Sequence, residues 1–401
     1  MNRIEEYILM YQDDEVLSFR VSFGERNRVQ VLEKLEHFEK APFGMKEETK
    51  QEELDRILYK FFNGRTLACT RWDYEDIIKN TGCHDDFELS FKGHGLSLSN
   101  HYWYKKPGEK LKYKDINFFT NKWDDSFARA VLSGNYEALK GVDLNVPDIV
   151  TCGKAIKGWL CEDKPRLYKL GILKDHNQEC LSEVLTSKLA QRLLKEDEVL
   201  DYELTEIYGK YASVSEAMIK EDEEFVTFSD VFPEEIQKLY NCRRRDKDSE
   251  KKFLQSVKEI PIPGLPTYFV KLFCLTSLCC LSDLHLDNIA AIRNTKTGKM
   301  RTAPFFDLAG GFGSSVRGKE LLLTLNQAVL FLICFGFGSF DPEWDYSWYK
   351  KERLIGFEQE IQEILSKSDY YSETLIENII TIYQQQKSAL DQTSNISLTR
   401  E

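Results

Sequence analysis

Several features that mark large protein classes are scarce or missing in this chain. Its ten cysteines form no C-x-x-C pair, and six histidines give no second histidine cluster to complete a zinc-type site. The adjacent pair Cys279 and Cys280 lies inside an apolar run, so buried, reduced thiols are expected rather than a disulfide framework. Basic residues are in deficit: 54 Lys and Arg against 66 Asp and Glu leave a net charge of -12. That balance argues against a surface that tracks duplex, and no direct nucleic-acid contact is expected. The one basic run, Arg243 to Arg245 with Lys247, is flanked by acids and reads as a solvated loop. Long apolar runs are missing too. Leu321 to Phe337 carries Asn326, Gln327 and two glycines and falls short of the roughly 20 residues a spanning helix needs, so a core helix is expected there. No apolar core follows Met1 to Tyr7, so neither a signal peptide nor a membrane anchor is expected, and the location expected is cytoplasmic. There is no internal repeat.

What is present suits a globular protein. At 401 residues, with 42% hydrophobic and 12% aromatic content, the chain can fill two or three packed domains. Up to residue 148 it mixes short strands (Tyr7 to Met10, Leu17 to Val21) with a helix over Gln51 to Phe62, a strand-rich patch over Phe87 to Tyr104, and a helix-like stretch over Asp115 to Ser133. Leu144 to Asp148 reads as a linker. Ile149 to Leu160 then places a glycine turn between β-like segments, Arg166 to Leu173 alternates as a strand, and Gln178 to Leu194 has an apolar helical face. Residues 221 to 264 are charge-rich, partly helical and expected to be exposed. The remainder is mainly helical, with terminal helices over Tyr349 to Leu365 and Ser372 to Lys387.

The most informative stretch is Asp283-Leu284-His285-Leu286-Asp287-Asn288, with Asp307 downstream. Between them, the short, apolar and partly β-branched run Ile289 to Arg293, the turn-rich Asn294 to Lys299 and Met300 to Pro304 read as a hairpin. A turn centred between Thr297 and Gly298 sets Asn288 opposite Asp307. The apolar run Leu272 to Leu281 reads as a buried helix that delivers Asp283 to the same loop. Acid and amide oxygens converging in this way are donors of the kind Mg²⁺ takes.

Upstream, Lys169 sits within an apolar strand, and a buried lysine needs a partner. Glu179 and Glu183, one turn apart on the next helix, are both eligible. Gly153 marks a turn at which backbone N–H groups can approach phosphate, with Lys154 or Lys157 nearby. Taken singly, each is also what a solvated lysine or an ordinary loop would show. In order, however, a glycine turn, strand lysine, helix glutamate, Asp-x4-Asn and post-hairpin Asp are the parts of a phosphoryl-transfer site.

Asp283 to Asn288 together with Ala303-Pro304-Phe305-Phe306-Asp307 resembles the Asp-Arg-His-x-x-Asn and x-Pro-x-x-Asp motifs of the HipA-type serine/threonine kinases of bacterial toxin–antitoxin modules. Gly153 to Lys157 is similar to that family's Gly-x-x-x-Lys phosphate loop, Leu167 to Lys169 to its ATP-binding strand, and Ser182-Glu183 to its Asn-Glu helix, which favours Glu183 over Glu179. Gly95 to Trp103 and Asp115 to Phe119 resemble HipA-like proteins of Firmicutes, less specifically. The resemblance implies Asp283 as catalytic base, His285 as orienting the loop, Asn288 and Asp307 as Mg²⁺ ligands, Lys169 paired with Glu183 as phosphate anchor, and Gly153 and Lys157 in the phosphate loop. Leu284 stands where the family has arginine, and Ile289-Ala290 where it has Phe-Gly. The family's regulatory serine has no obvious counterpart, Val150 and Thr151 occupying that region.

The fold so implied is α+β: a two-lobed, kinase-like architecture with a mixed α/β N-terminal domain (1–148), a kinase N-lobe (149–230) and a mainly helical C-lobe (231–401). The cofactors implied are ATP and Mg²⁺; the partners are a protein substrate and a small helix-turn-helix antitoxin. Two rival readings are a nucleotide-binding pseudokinase, motivated by Leu284, and a metal-dependent hydrolase, which leaves Lys169 and Glu183 unused.

Overall fold

The computed structural model describes residues 3–45, 49–171, 178–242, 247–281, 284–314 and 340–398. Arg243 to Arg245, Asp283 and the stretch Leu321 to Phe337 lie outside them. The described residues form two compact units, Met1–Lys169 with Ile219–Glu224, and Leu170–Met218 with Phe225–Glu401. The secondary structure is α+β.

The first unit is built on an antiparallel sheet of β1 (Arg3–Tyr11), β2 (Asp14–Phe23), β3 (Arg28–Lys34) and β4 (Tyr102–Lys105), in the order β3-β2-β1-β4. Alternation along β1 and β2 sends Tyr7, Leu9, Phe19 and Val21 inward. The helix Gln51–Asn63 covers them with Leu54, Leu58 and Phe62, spaced one helical turn apart. Aromatic rings fill the interior: the centroids of Phe19 and Phe62 lie 4.8 Å apart, those of the stacked Phe91 and Tyr104 4.2 Å. The segment Ile219–Glu224 belongs to this unit by a buried bond from Tyr11 to the Glu224 carboxylate (3.1 Å) and a part-buried one from His101 Nε2–H to the Glu223 carbonyl (2.9 Å). Tyr113 donates to Nδ1 of the same ring at 2.6 Å, and burial lowers the His101 pKa, so the imidazole is held neutral.

The strand expectation over Phe87 to Tyr104 is corrected at its start. Asp86–Lys92 is a helix, because the Asp85 side chain caps it by accepting the Glu88 N–H at 2.8 Å. The stretch over Asp115 to Ser133 resolves into two short helices, Tyr113–Ile116 and Ser126–Ser133. Beyond them come β5 (Ile156–Cys161) and its neighbour β6 (Pro165–Gly171). Gly158 in β5 lies against the helix Ser126–Ser133 so closely that a Cβ there would sit 2.9 Å from the Ala128 Cβ and 3.1 Å from its Cα.

The second unit opens with the helix Gln178–Leu193 and the hairpin of β7 (Glu203–Ile207) and β8 (Lys210–Glu216), joined at Tyr208-Gly209. A three-stranded sheet follows in the order β11-β10-β9, from β9 (Glu223–Thr227), β10 (Ala290–Asn294) and β11 (Met300–Thr302). The helix Leu265–Cys279 is buried along almost its whole length, as its largely apolar sequence requires, and packs in a core with Phe228, Tyr240, Phe253 and Phe357. Those first three side chains correct the expectation that 221–264 is exposed: its acidic and basic residues cover an apolar face, and the face is buried. The terminal helices are Phe357–Leu365 and Glu373–Leu398. The described cysteines are all unbridged, and burial pushes the Cys180 and Cys279 thiols up to about 12. Cys69, Cys152 and Cys242 are exposed, which the expectation of uniformly buried thiols did not include. Among the described residues no helix is long and apolar enough to cross a membrane.

Gly158→Ala is expected to destabilise the protein by about 1–3 kcal/mol, the usual cost of overpacking against backbone. Urea unfolding midpoints of the two proteins measure this directly.

Candidate active site

Within the first unit, the turn Pro147–Val150 leads into the segment Thr151 to Ala155 and then β5. Gly153 adopts φ +92°, a backbone conformation that a side chain would strain. The Lys157 ammonium turns back to donate to the Cys152 carbonyl. Lys169, on β6, is buried with 8% exposure. Asp148 is fully buried at the head of this segment: its Oδ1 accepts the Trp159 N–H at 2.8 Å, and its Oδ2 has no hydrogen-bond partner among the described residues. Burial holds its carboxyl up at about 7, opposed by the Trp159 N–H and the Arg71 charge.

In the second unit, the helix Gln178–Leu193 carries polar side chains into the core. Glu183 is 1% exposed and accepts a 2.5 Å hydrogen bond from the Ser213 hydroxyl on β8. Ser182 donates to the Gly311 carbonyl (2.7 Å) and Ser187 to the Leu200 carbonyl (2.9 Å). A Cβ on Gly311 would come within 2.8 Å of the Thr186 hydroxyl, so the segment after Asp307 lies directly on this helix.

The hairpin forms as expected, with a different register. Arg293 pairs with Met300 and Ala291 with Thr302, which centres the turn between Lys296 and Thr297. Extended past its end, that register sets Asn288 against Phe305 and leaves Asp307 beyond it. The cause is Asn294, whose side chain accepts the Thr297 N–H at 2.9 Å and so starts the turn early, with Gly298 at φ +68° closing it. After β11 the chain leaves its partner: Phe305 exchanges backbone bonds with Glu198 and Leu200 instead. Asp307 then takes φ +53°, uncommon outside glycine, and donates its N–H to the buried Tyr202 hydroxyl at 3.2 Å.

Asn288 ends a short turn, Leu286–Asn288, its N–H bonded to the His285 carbonyl at 3.0 Å. His285 Nδ1 lies 3.5 Å from Asp287, both side chains more than half exposed, and Asp287 accepts a hydrogen bond from Ser229. Asp287 therefore ties this loop to the short helix Phe228–Val231 after β9. Leu284 is 6% exposed and packs in the core, with its carbonyl bonded to the Tyr240 hydroxyl at 3.2 Å. Tyr202, Ser213 and Ser229 escaped the sequence reading because nothing local marks a hydroxyl whose partner lies tens of residues away. Asp283 falls outside the described residues.

No protein-family model matches the chain, and no curated protein matches it. Among solved structures, the proinflammatory kinase CtkA of Helicobacter pylori is similar over 62% of this chain and 92% of its own, at 14% identity and a TM-score of 0.43. The toxin–antitoxin complex of HipA, HipB and operator DNA from Shewanella oneidensis MR-1 is similar over 96% of this chain and 97% of its own, at 10% identity and a TM-score of 0.45.

Two outcomes are expected from these environments. The Asp148 carboxyl is raised from its ordinary value near 3.8 to about 7, so the folded protein keeps a proton that the unfolded chain releases. Its contribution is complete at acid pH and is lost as the pH rises through that interval, a change on the order of a few kcal/mol. Urea titrations of wild type and Asp148→Asn at pH 5 and pH 8 should show the variant losing less stability between the two. Leu284→Arg buries an uncompensated charge and should destabilise by about 3 kcal/mol or more; the unfolding midpoint decides it.

Proposed function

We propose that the chain is a kinase of HipA type that uses Mg²⁺ and ATP to transfer the γ-phosphoryl group to a Ser or Thr hydroxyl of a protein. The observation that carries this is the ordered set Lys169, Glu183, Asp283, Asn288 and Asp307. Support comes from the second unit, where Glu183 is a buried, hydrogen-bonded carboxylate and the backbone at Asp307 rests on Tyr202. The donor set fits the metal, since Asn288 and Asp307 offer an amide and a carboxylate oxygen, both hard ligands. When bound, ATP would supply the phosphoryl group and Mg²⁺ the positive charge that offsets the negative charge on its oxygens.

The residues divide the remaining work. Gly153 lets backbone N–H groups face phosphate, with Lys157 as an adjacent cation. Lys169 is the phosphate anchor, and Glu183 is the acid that motif order assigns to it. Asp283 accepts the proton of the attacking hydroxyl, while His285 and Asp287, with Ser229, hold its loop. In this reading residues 1–148 are an accessory domain, 149–230 the N-lobe and 231–401 the C-lobe. The partners are the protein substrate and a small helix-turn-helix antitoxin.

The burial of Leu284 favours a second reading, a nucleotide-binding pseudokinase. The arginine of the related motif is replaced by a side chain that serves the core, so the catalytic loop has lost a cation.

Calorimetric titration with Mg-ATP separates these. Wild type should bind, and Asp307→Ala should weaken binding by about 10-fold or more, corresponding to ~1.4 kcal/mol or more. Asp283→Ala should retain binding and lose phosphoryl transfer to protein, measured with labelled ATP. Binding without transfer in wild type selects the pseudokinase, and no binding removes both readings.

A further inference from the structure

We propose that Arg71, far upstream of every motif residue, is a positioning residue for nucleotide phosphate, acting by clasping both ends of the Gly153 loop. This rests on the kinase reading of that loop. The Arg71 side chain is entirely out of solvent and forms a two-toothed ion pair with the equally buried Asp73, Nε to Oδ1 at 2.6 Å and Nη2 to Oδ2 at 3.2 Å. The remaining face of the guanidinium is turned to the loop. Nη1 donates to the Thr151 hydroxyl at 3.1 Å, and Nη2 donates to the Lys157 carbonyl at 2.9 Å. One rigid plane thus holds the residue that enters the loop and the residue that leaves it.

Two further bonds close the same frame. Thr151 passes its own hydroxyl hydrogen to the Asp148 carbonyl at 2.7 Å, and the backbone N–H of Trp72, next to Arg71, meets the Lys154 carbonyl at 3.4 Å. Between these tethers only Gly153 takes a left-handed conformation. A loop that offers backbone N–H groups to phosphate binds best when those groups are already arranged, because ordering them on binding subtracts from affinity. A planar, five-donor guanidinium can pin two loop ends and keep its counter-ion, whereas a lysine, with one point charge on a flexible stem, cannot. The upstream part of the chain therefore does more than pack beside the loop: it sets the loop's shape.

Three variants test the clasp. Thr151→Val removes both hydroxyl tethers, from Arg71 and to the Asp148 carbonyl, without touching the ion pair; Thr151→Ser keeps the hydroxyl, and the double variant Arg71→Met with Asp73→Asn removes both buried charges together, so neither is left uncompensated. Hydrogen–deuterium exchange of peptides covering 149–158 should run about tenfold faster in Thr151→Val and in the double variant, with β1–β4 unchanged. Thr151→Ser should exchange like wild type. In parallel, the dissociation constant for Mg-ATP should rise about five- to tenfold in the same two variants and return in Thr151→Ser. Wild-type exchange in both tether-breaking variants overturns the clasp. Faster exchange with unaltered Mg-ATP affinity overturns its role in phosphate positioning. A wild type that binds no Mg-ATP overturns the kinase reading and the ligand assigned to the loop, while the exchange comparison still decides the clasp itself.

Discussion

A row of buried polar side chains on a helix exposed chiefly at Lys188 and Gln191 governs the second unit. Ser182, Glu183 and Ser187 on Gln178–Leu193 are buried among Leu181, Val184, Leu185 and Leu189. In such surroundings an unpaired hydroxyl or carboxylate costs several times what a formed hydrogen bond contributes. Each of the three therefore recruits a partner: the Gly311 carbonyl, the Ser213 hydroxyl and the Leu200 carbonyl. Through those bonds the β7–β8 hairpin, the segment before β7 and the chain after Asp307 all converge on one helix. The same burial that makes the helix expensive to misplace makes it a fixed reference for Asp307, whose N–H rests on Tyr202, itself bonded through its own N–H to Ser187 at 3.2 Å.

The first unit applies the same rule to charge. Arg71 and Asp73 are both out of solvent and satisfy each other, and the surplus donors of the guanidinium are spent on the loop that follows Pro147–Val150. Asp148, buried nearby without a full set of partners, responds the other way and keeps its proton to near pH 7. A paired buried charge becomes a brace; an under-partnered one becomes a source of pH dependence. The brace reaches the Gly153 loop from far upstream, and Asp148 stands at the head of the same segment.

Where local pattern is the cause of structure, the sequence was readable. Leu54, Leu58 and Phe62 announce the helix Gln51–Asn63, alternation announces β1 and β2, and the apolar run Leu272 to Leu281 announces a buried helix that the structure places over Leu265–Cys279. Reading failed where a side chain intervened. Asp85 caps what looked like a strand into a helix, and Asn294 moves the hairpin turn so that Asn288 and Asp307 are not directly opposed. Leu284, legible only as a departure from a motif, turned out to be a core residue with its own packing role.

By itself the sequence determined the candidate residues and their order, because the chemistry of phosphate and magnesium restricts which side chains can serve and motif spacing is a local property. Only the tertiary structure decided what holds them. Tyr202 beneath Asp307, Ser213 on Glu183, Ser229 on Asp287 and Arg71 across the mouth of the Gly153 loop are partners joined over tens of residues. Burial selects such partners by leaving polar groups no water to fall back on, and that requirement acts only once the chain has closed around them.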